Sequence, residues 1–132
     1  MASQLYPKGA AHLLGLSTKV DLVADNIKVL LIDTADETYN GADEFHSDIT
    51  GAGIVATSGN LAGKSVTSGV FDANDITITA VSGDTVEAVV IYKDTGTSAT
   101  SPLIAWFDVS TFTPNGSDVT VTWNGSGIFS IA

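Results

Sequence analysis

The stretch Gly59-Asn-Leu-Ala-Gly63-Lys64-Ser65 comes nearest in this chain to a phosphate-binding loop. Such a loop needs four residues between its glycines and a helix behind them, whose N-terminal amides hold the phosphate. Here three residues separate the glycines, and Val66-Thr67-Ser68-Gly69-Val70 favours a strand. The stretch reads as a polar loop entering a strand. A second candidate is acidic: Asp33, Asp36, Glu37, Asp43, Glu44 and Asp48 surround His46. Oxygen ligands suit calcium, but the spacing matches no EF-hand, and a single histidine is thin support for zinc. A solvated acidic loop is the expectation. His12 and His46 are the only histidines, and no Gly-x-Ser-x-Gly elbow accompanies them. A serine triad therefore lacks its signature. A glycosidase pair of carboxylates has nothing pointing to it. The reading is a non-enzymatic protein with no catalytic, cofactor or metal site, one that works through its surfaces.

Aromatic residues are the remaining source of specific contact. Trp106 and Phe107 lie in the apolar run Leu103–Val109, and Trp123 continues the face of Val119 and Val121. Those three belong in a core. Tyr6, Tyr39 and Phe112 fall near the ends of expected elements, where interface use is more natural.

The elements that must position these groups are mostly strands. Apolar and polar residues alternate in short bursts from Ile27 onward, with Gly, Asn, Asp, Ser and Thr between them, which predicts roughly eight strands. They are Ile27–Ile32, Ile54–Thr57, Lys64–Phe71, Asp75–Ala80, Val86–Lys93, Leu103–Val109, Asp118–Asn124 and Ile128–Ile131. Ile27–Ile32 is apolar on both faces except at Lys28 and should be buried; Val86–Lys93 is apolar on both sides and should be central, and Leu103–Val109 is similar. A helix is expected over residues 7–16, with Pro7 at its first position and Ala11, Leu13, Leu14 and Leu16 as an apolar stripe. Gly9 and Gly15 weaken it. A second short helix is expected over Ala42–Ile49, where Phe45 and Ile49 would share a face. Two long loops remain, Tyr39–Gly53 and the Thr/Ser-rich Asp94–Pro102. The fold class is mainly β, an antiparallel β-sandwich or partly open barrel with one or two short helices in the N-terminal third. One domain is expected over residues 1–132, with 1–8 as an extended arm.

Composition narrows the function classes. Fifteen acidic residues against five lysines give a net charge of −10. Nucleic acid and acidic membrane surfaces are poor partners for such a chain. Mutual repulsion keeps copies soluble at high concentration. There is no cysteine, which fits a reducing cytosol. No apolar run is long enough to span a membrane, and the first residues carry no secretory pattern, so no leader is expected. Asn115-Gly-Ser and Asn124-Gly-Ser match the glycosylation pattern but read as turns.

Three blocks carry a family resemblance. They are Ile27-Lys-Val-Leu-Leu-Ile-Asp-Thr-Ala-Asp36 followed by Tyr39-Asn40, Ala88-Val-Val-Ile-Tyr-Lys-Asp-Thr-Gly96, and Thr113-Pro-Asn-Gly-Ser-Asp-Val-Thr-Val-Thr-Trp123. Their order and spacing resemble small virion structural proteins of tailed bacteriophages, in particular capsid decoration, or cement, proteins. The likeness spans most of residues 5–131 and includes no catalytic signature. It implies a protein made in the host cytoplasm that docks on the capsid exterior, with the major capsid protein as partner. It also implies a homo-oligomer, a trimer at local three-fold positions. The expected contact elements are Ala2–Lys8, Tyr39–Gly53 and Asp94–Pro102. Their candidate contact residues, with one from the end of a strand, are Leu5, Tyr6, Tyr39, Phe45, Thr97, Thr100 and Phe112. The alternative is a tail or fibre component that touches the host surface.

Overall fold

The structure is a computed structural model that describes residues 3–130. Met1 and Ala2 of the expected arm and Ile131 of the expected last strand lie outside the described residues. The described fold is mainly β, with antiparallel sheets, as the sequence predicts. Its strands are β1 (Ser3–Leu5), β2 (Ile27–Ile32), β3 (Ile54–Thr57), β4 (Ser65–Thr67), β5 (Val70–Asp72), β6 (Ile76–Ile78), β7 (Val86–Lys93), β8 (Leu103–Phe112), β9 (Val119–Val121) and β10 (Phe129–Ser130). The helix α1 (Pro7–Leu13) follows β1. The main sheet runs β1-β8-β7-β2-β3, and two smaller sheets run β10-β5-β4 and β6-β9.

The main sheet is buried on both faces, which explains the unbroken apolar runs of β2 and β7. Strand alternation sends Val29, Leu31, Val89, Ile91 and Ala105 to one side, where Phe71, Ile78 and Ile128 of the second layer meet them. Leu30, Ile32, Ala88, Val90 and Trp106 point to the other side, beneath Tyr6, Ile49 and Tyr39. The register shifts at three places, between Leu31 and Ile32, between Val86 and Ala88, and between Ile91 and Tyr92. Ile91 pairs with Ala105 but Tyr92 pairs with Leu103, so Ile104 is an extra residue and joins Ala105 on the first side. That is a bulge, and it re-aims the chain where the loop 94–102 begins its return.

Several elements differ from the sequence expectation. Lys64–Phe71 is a hairpin of β4 and β5, not one strand: Thr67 pairs with Val70 across Ser68-Gly69. Ser68 (φ 51°) and Gly69 (φ 81°) both take positive φ, the requirement of a tight primed turn. The glycine that looked like an interruption is the turn itself. Asp75–Ala80 and Asp118–Asn124 contribute only Ile76–Ile78 and Val119–Val121 to strands, Ile128 precedes β10, and β8 runs past Val109 to Phe112. The second helix is absent. Within Ala42–Ile49 only His46–Asp48 forms a turn of 3-10 helix. The flanking backbone is spent elsewhere, because the Leu103 amide donates to the Glu44 carbonyl and the His46 amide donates to the Ser101 carbonyl.

Helix α1 stops at Leu13. The Leu16 amide donates to Ala11 O at 3.0 Å and the Gly15 amide to His12 O at 3.4 Å, the paired bonds of a Schellman end. The expected apolar stripe is not the buried one: Leu14 is 81% exposed, and Gly9 and His12 face inward instead. Gly9 packs directly on the Leu103 carbonyl, and an added Cβ would overlap that oxygen and crowd Leu103 C and Ile104 Cα. Gly9→Ala should therefore destabilise the protein by about 1–2 kcal/mol, although alanine gains about 1 kcal/mol of helix propensity. A denaturant midpoint equal to or above wild type would show that α1 does not sit this close to β8.

Candidate functional site

The two long loops come together. Phe45 bridges to Pro102 as an isolated antiparallel pair, and the His46 amide reaches Ser101 O at 2.8 Å. The ring of His46 lies 4.9 Å from that of Tyr92 at the end of β7. The loop 39–53 and the loop 94–102 therefore form one composite surface above the C-terminal end of β7 and the start of β8.

Each loop is internally fixed. Ser101 is 1% exposed. Its hydroxyl accepts from the Thr95 amide at 3.0 Å and donates to Thr97 O at 2.8 Å. The Thr95 and Thr100 hydroxyls lie 2.7 Å apart. The Asp94 carboxylate takes Lys28 at 2.7 Å and the Gly96 amide at 2.8 Å. In the partner loop the Asp48 carboxylate accepts the amides of Glu44 and Phe45, each at 2.9 Å. Glu37 accepts the Thr50 amide at 2.9 Å. A Thr/Ser-rich loop is thereby a rigid one, since each short hydroxyl replaces a backbone partner.

The seven candidate contact residues divide by burial. Thr97 and Thr100 are exposed on the composite surface. Phe45 is half-buried against His12, with ring centres 5.7 Å apart. Tyr39 is half-buried between Tyr6 and Trp106, at 5.1 and 6.0 Å. Leu5 and Phe112 are half-buried and pack on the core of the sandwich, and the Leu5 carbonyl accepts from the Tyr39 hydroxyl at 3.4 Å, at the start of the first loop. Tyr6 is corrected outright. It is 0% exposed, because it sits under Tyr39 at the entry to α1, so it takes no direct part in an interface. Its hydroxyl has no hydrogen-bond partner among the described residues, and burial pushes its pKa upward. Residues 3–8 are likewise no free arm: β1 pairs with Ala105–Phe107 of β8, and Pro7 opens α1.

No protein-family model matches this chain, and no curated protein matches it.

The other sequence candidates resolve into structural roles. The acids around His46 do not converge on it. Glu44 binds His12 at 2.8 Å, and Asp33 and Asp36 join Asp84, with one oxygen of each within 4.8 Å of the others. Asp84 lies about fifty residues further on, so no local spacing pointed to it. Asp33 also accepts the Ala35 amide at 2.9 Å. The loop with the phosphate-like spacing runs into β4, as expected, and Lys64 donates to the Asp25 carbonyl. His12 Nδ1 faces the Ser17 carbonyl, not a hydroxyl, so it lies in no nucleophile–base pair. Trp106 is buried, and Phe107 and Trp123 close the edge of the first core side with ring centres 6.5 Å apart. Asn115 and Asn124 each accept an amide two residues ahead, as turn asparagines do.

Chemically, the composite surface presents hydroxyls and carboxylates on a rigid frame. Its titration is directional. Burial holds the His46 imidazole below its ordinary 6.5, with Asp94 pulling weakly the other way. The unfolded chain then takes up that proton first. The stabilisation is present above pH 6.5 and is lost as pH falls through the lower folded value. Asp48, bonded to the Phe45 and Glu44 amides, and Asp94, bonded to Lys28 and the Gly96 amide, sit below the ordinary carboxylate value. Their stabilisation is present above about pH 4 and is lost below it. Asp43 opposes them: burial and Glu37 raise it, so acid relieves it. His46→Gln should accordingly lose its disadvantage to wild type as pH falls from 7 to 5. Calorimetry at constant ionic strength reads this directly. A gap in Tm that stays constant or widens toward pH 5 would contradict the buried, neutral imidazole.

Proposed function

We propose that this protein is a non-enzymatic virion structural protein of a tailed bacteriophage, a decoration protein that binds the major capsid shell from outside and stabilises it. The observation that carries the reading is the convergence of the two long loops, Tyr39–Gly53 and Asp94–Pro102, into one rigid surface with exposed Thr97 and Thr100. A pre-ordered surface loses little conformational entropy on docking. The three phage-like sequence blocks point the same way, and two of them feed this surface: Tyr39-Asn40 opens one loop and Ala88–Gly96 enters the other. The charge of −10 suits a protein that accumulates in host cytoplasm before assembly. Many weak contacts, one per capsid site and linked within a homo-oligomer, brace a shell through avidity.

Quantitative mass spectrometry of purified particles tests the reading. The expected result is a copy number that scales with the major capsid protein. A handful of copies, or recovery only in isolated tails, would overturn it in favour of a tail or fibre component.

A further inference from the structure

The large apolar side chains exposed among the described residues are Leu14, Leu16, Val23 and Val66. Two of them share one groove, and the other two adjoin its lining in sequence. Leu14 and Val66 line a single groove of about 590 Å³ whose walls include Leu13, Val20, Leu22, Phe71 and Phe129. Leu16 and Val23 belong to the same 14–25 segment that forms one wall. Scattered apolar residues need no explanation, but a cluster around a groove marks a contact surface.

Charge says what covers it. Lys93 pairs with the Asp25 carboxylate at 3.1 Å and donates to Lys19 O at 2.7 Å, and Lys64 donates to the Asp25 carbonyl. Three of the five lysines, Lys19, Lys64 and Lys93, thus stand beside Asp21 and Asp25 at this groove. The region is close to neutral in a chain of −10, so the rest of the surface carries essentially all of the excess charge. Two copies repel wherever those acidic surfaces would meet. Here they can approach. The patch is also self-complementary, with Lys19 next to Asp21 and Asp25 on the rim and aliphatic groups at the centre. Facing patches would bury leucine and valine on leucine and valine and cross-pair the rim.

We infer that a second copy of this chain packs on the groove formed by residues 13–25 and the β4–β5 hairpin. This is the subunit contact of the protein, and it stands apart from the loop surface assigned to the shell. The test is analytical ultracentrifugation of the full chain from 5 to 300 µM, at low salt and at 0.5 M NaCl. Wild type should self-associate reversibly and more tightly at high salt, because screening weakens the overall repulsion. Leu14→Asp and Val66→Asp should each shift the midpoint at least tenfold in concentration, and the double variant should stay monomeric. Both positions are exposed in the single copy, so circular dichroism and Tm of the variants should match wild type. A wild type that remains monomeric at 300 µM in both salts, or association that survives the double variant, overturns the inference. Shell binding by the monomeric double variant, measured separately, keeps this outcome distinct from that of the decoration reading.

Discussion

Phe71→Ala is expected to destabilise the protein by about 3–5 kcal/mol, a fall in Tm on the order of 10–15 °C. Phe71 is 1% exposed and is the main side chain by which the β10-β5-β4 sheet grips the first face of the main sheet. Its ring lies 5.5 Å from Phe129 of the paired strand β10. Its backbone is engaged too, since the Ile128 amide donates to Phe71 O at 2.7 Å. Truncation removes the ring and leaves a space that the short strands cannot close, because β4 and β5 span only three residues each. Ser65→Ala, on the exposed strand next to it, should stay within about 0.5 kcal/mol and serves as the control. Chemical denaturation of both variants measures the difference. A loss below about 1 kcal/mol for Phe71→Ala would mean that the small sheet is not a structural layer.

His12→Ala is the second large effect, at about 3 kcal/mol. His12 is 2% exposed and joins three parts of the chain. Nδ1 lies 2.7 Å from the Ser17 carbonyl, Nε2 lies 2.8 Å from Glu44, and the ring packs on Phe45. Each ring nitrogen thus meets an oxygen, a carbonyl on one side and a carboxylate on the other. Removing the ring leaves Glu44 facing a void and frees the start of the loop surface from α1. Glu44→Gln should cost less, because the amide can still bond Nε2. A double-mutant cycle across His12 and Glu44 should return a coupling of about 1–3 kcal/mol. His12→Ala within 0.5 kcal/mol of wild type would show that this clamp does not hold the loop.

The central strands β2 and β7 were legible because they are buried on both sides, so hydrophobicity alone marks them, whereas the edge strand β1 was read as an arm. Ile27–Ile32 and Val86–Lys93 come out residue for residue. The hairpin at Ser68-Gly69 was hidden because three-residue strands show too little alternation, and the turn glycine looked like a break. Helix α1 was placed correctly at Pro7, but its inward face was misread. Leucines at helical spacing suggested the core, whereas contact with the Leu103 carbonyl required the smallest residue, Gly9. The same competition removed the helix expected at Ala42–Ile49, where long-range backbone bonds to Ser101 and Leu103 outweigh a local helical preference.

The surface was legible only in part. Composition and turn residues located both long loops, but not their meeting, since the Phe45–Pro102 pairing spans more than fifty residues. Tyr6 looked like an interface aromatic because it sits near a chain end, and that position says nothing about what folds over it. Leu14, Leu16, Val23 and Val66 were invisible as a group until the fold placed the hairpin beside residues 13–25.

Docking through the loop surface is the central claim about this protein. Hydrogen exchange on the protein alone and on the protein bound to capsid shells tests it directly. The predicted result is slowed exchange concentrated at the amides of residues 43–48 and 95–101. Binding that leaves those amides unchanged, with protection confined to other strands, would contradict the account.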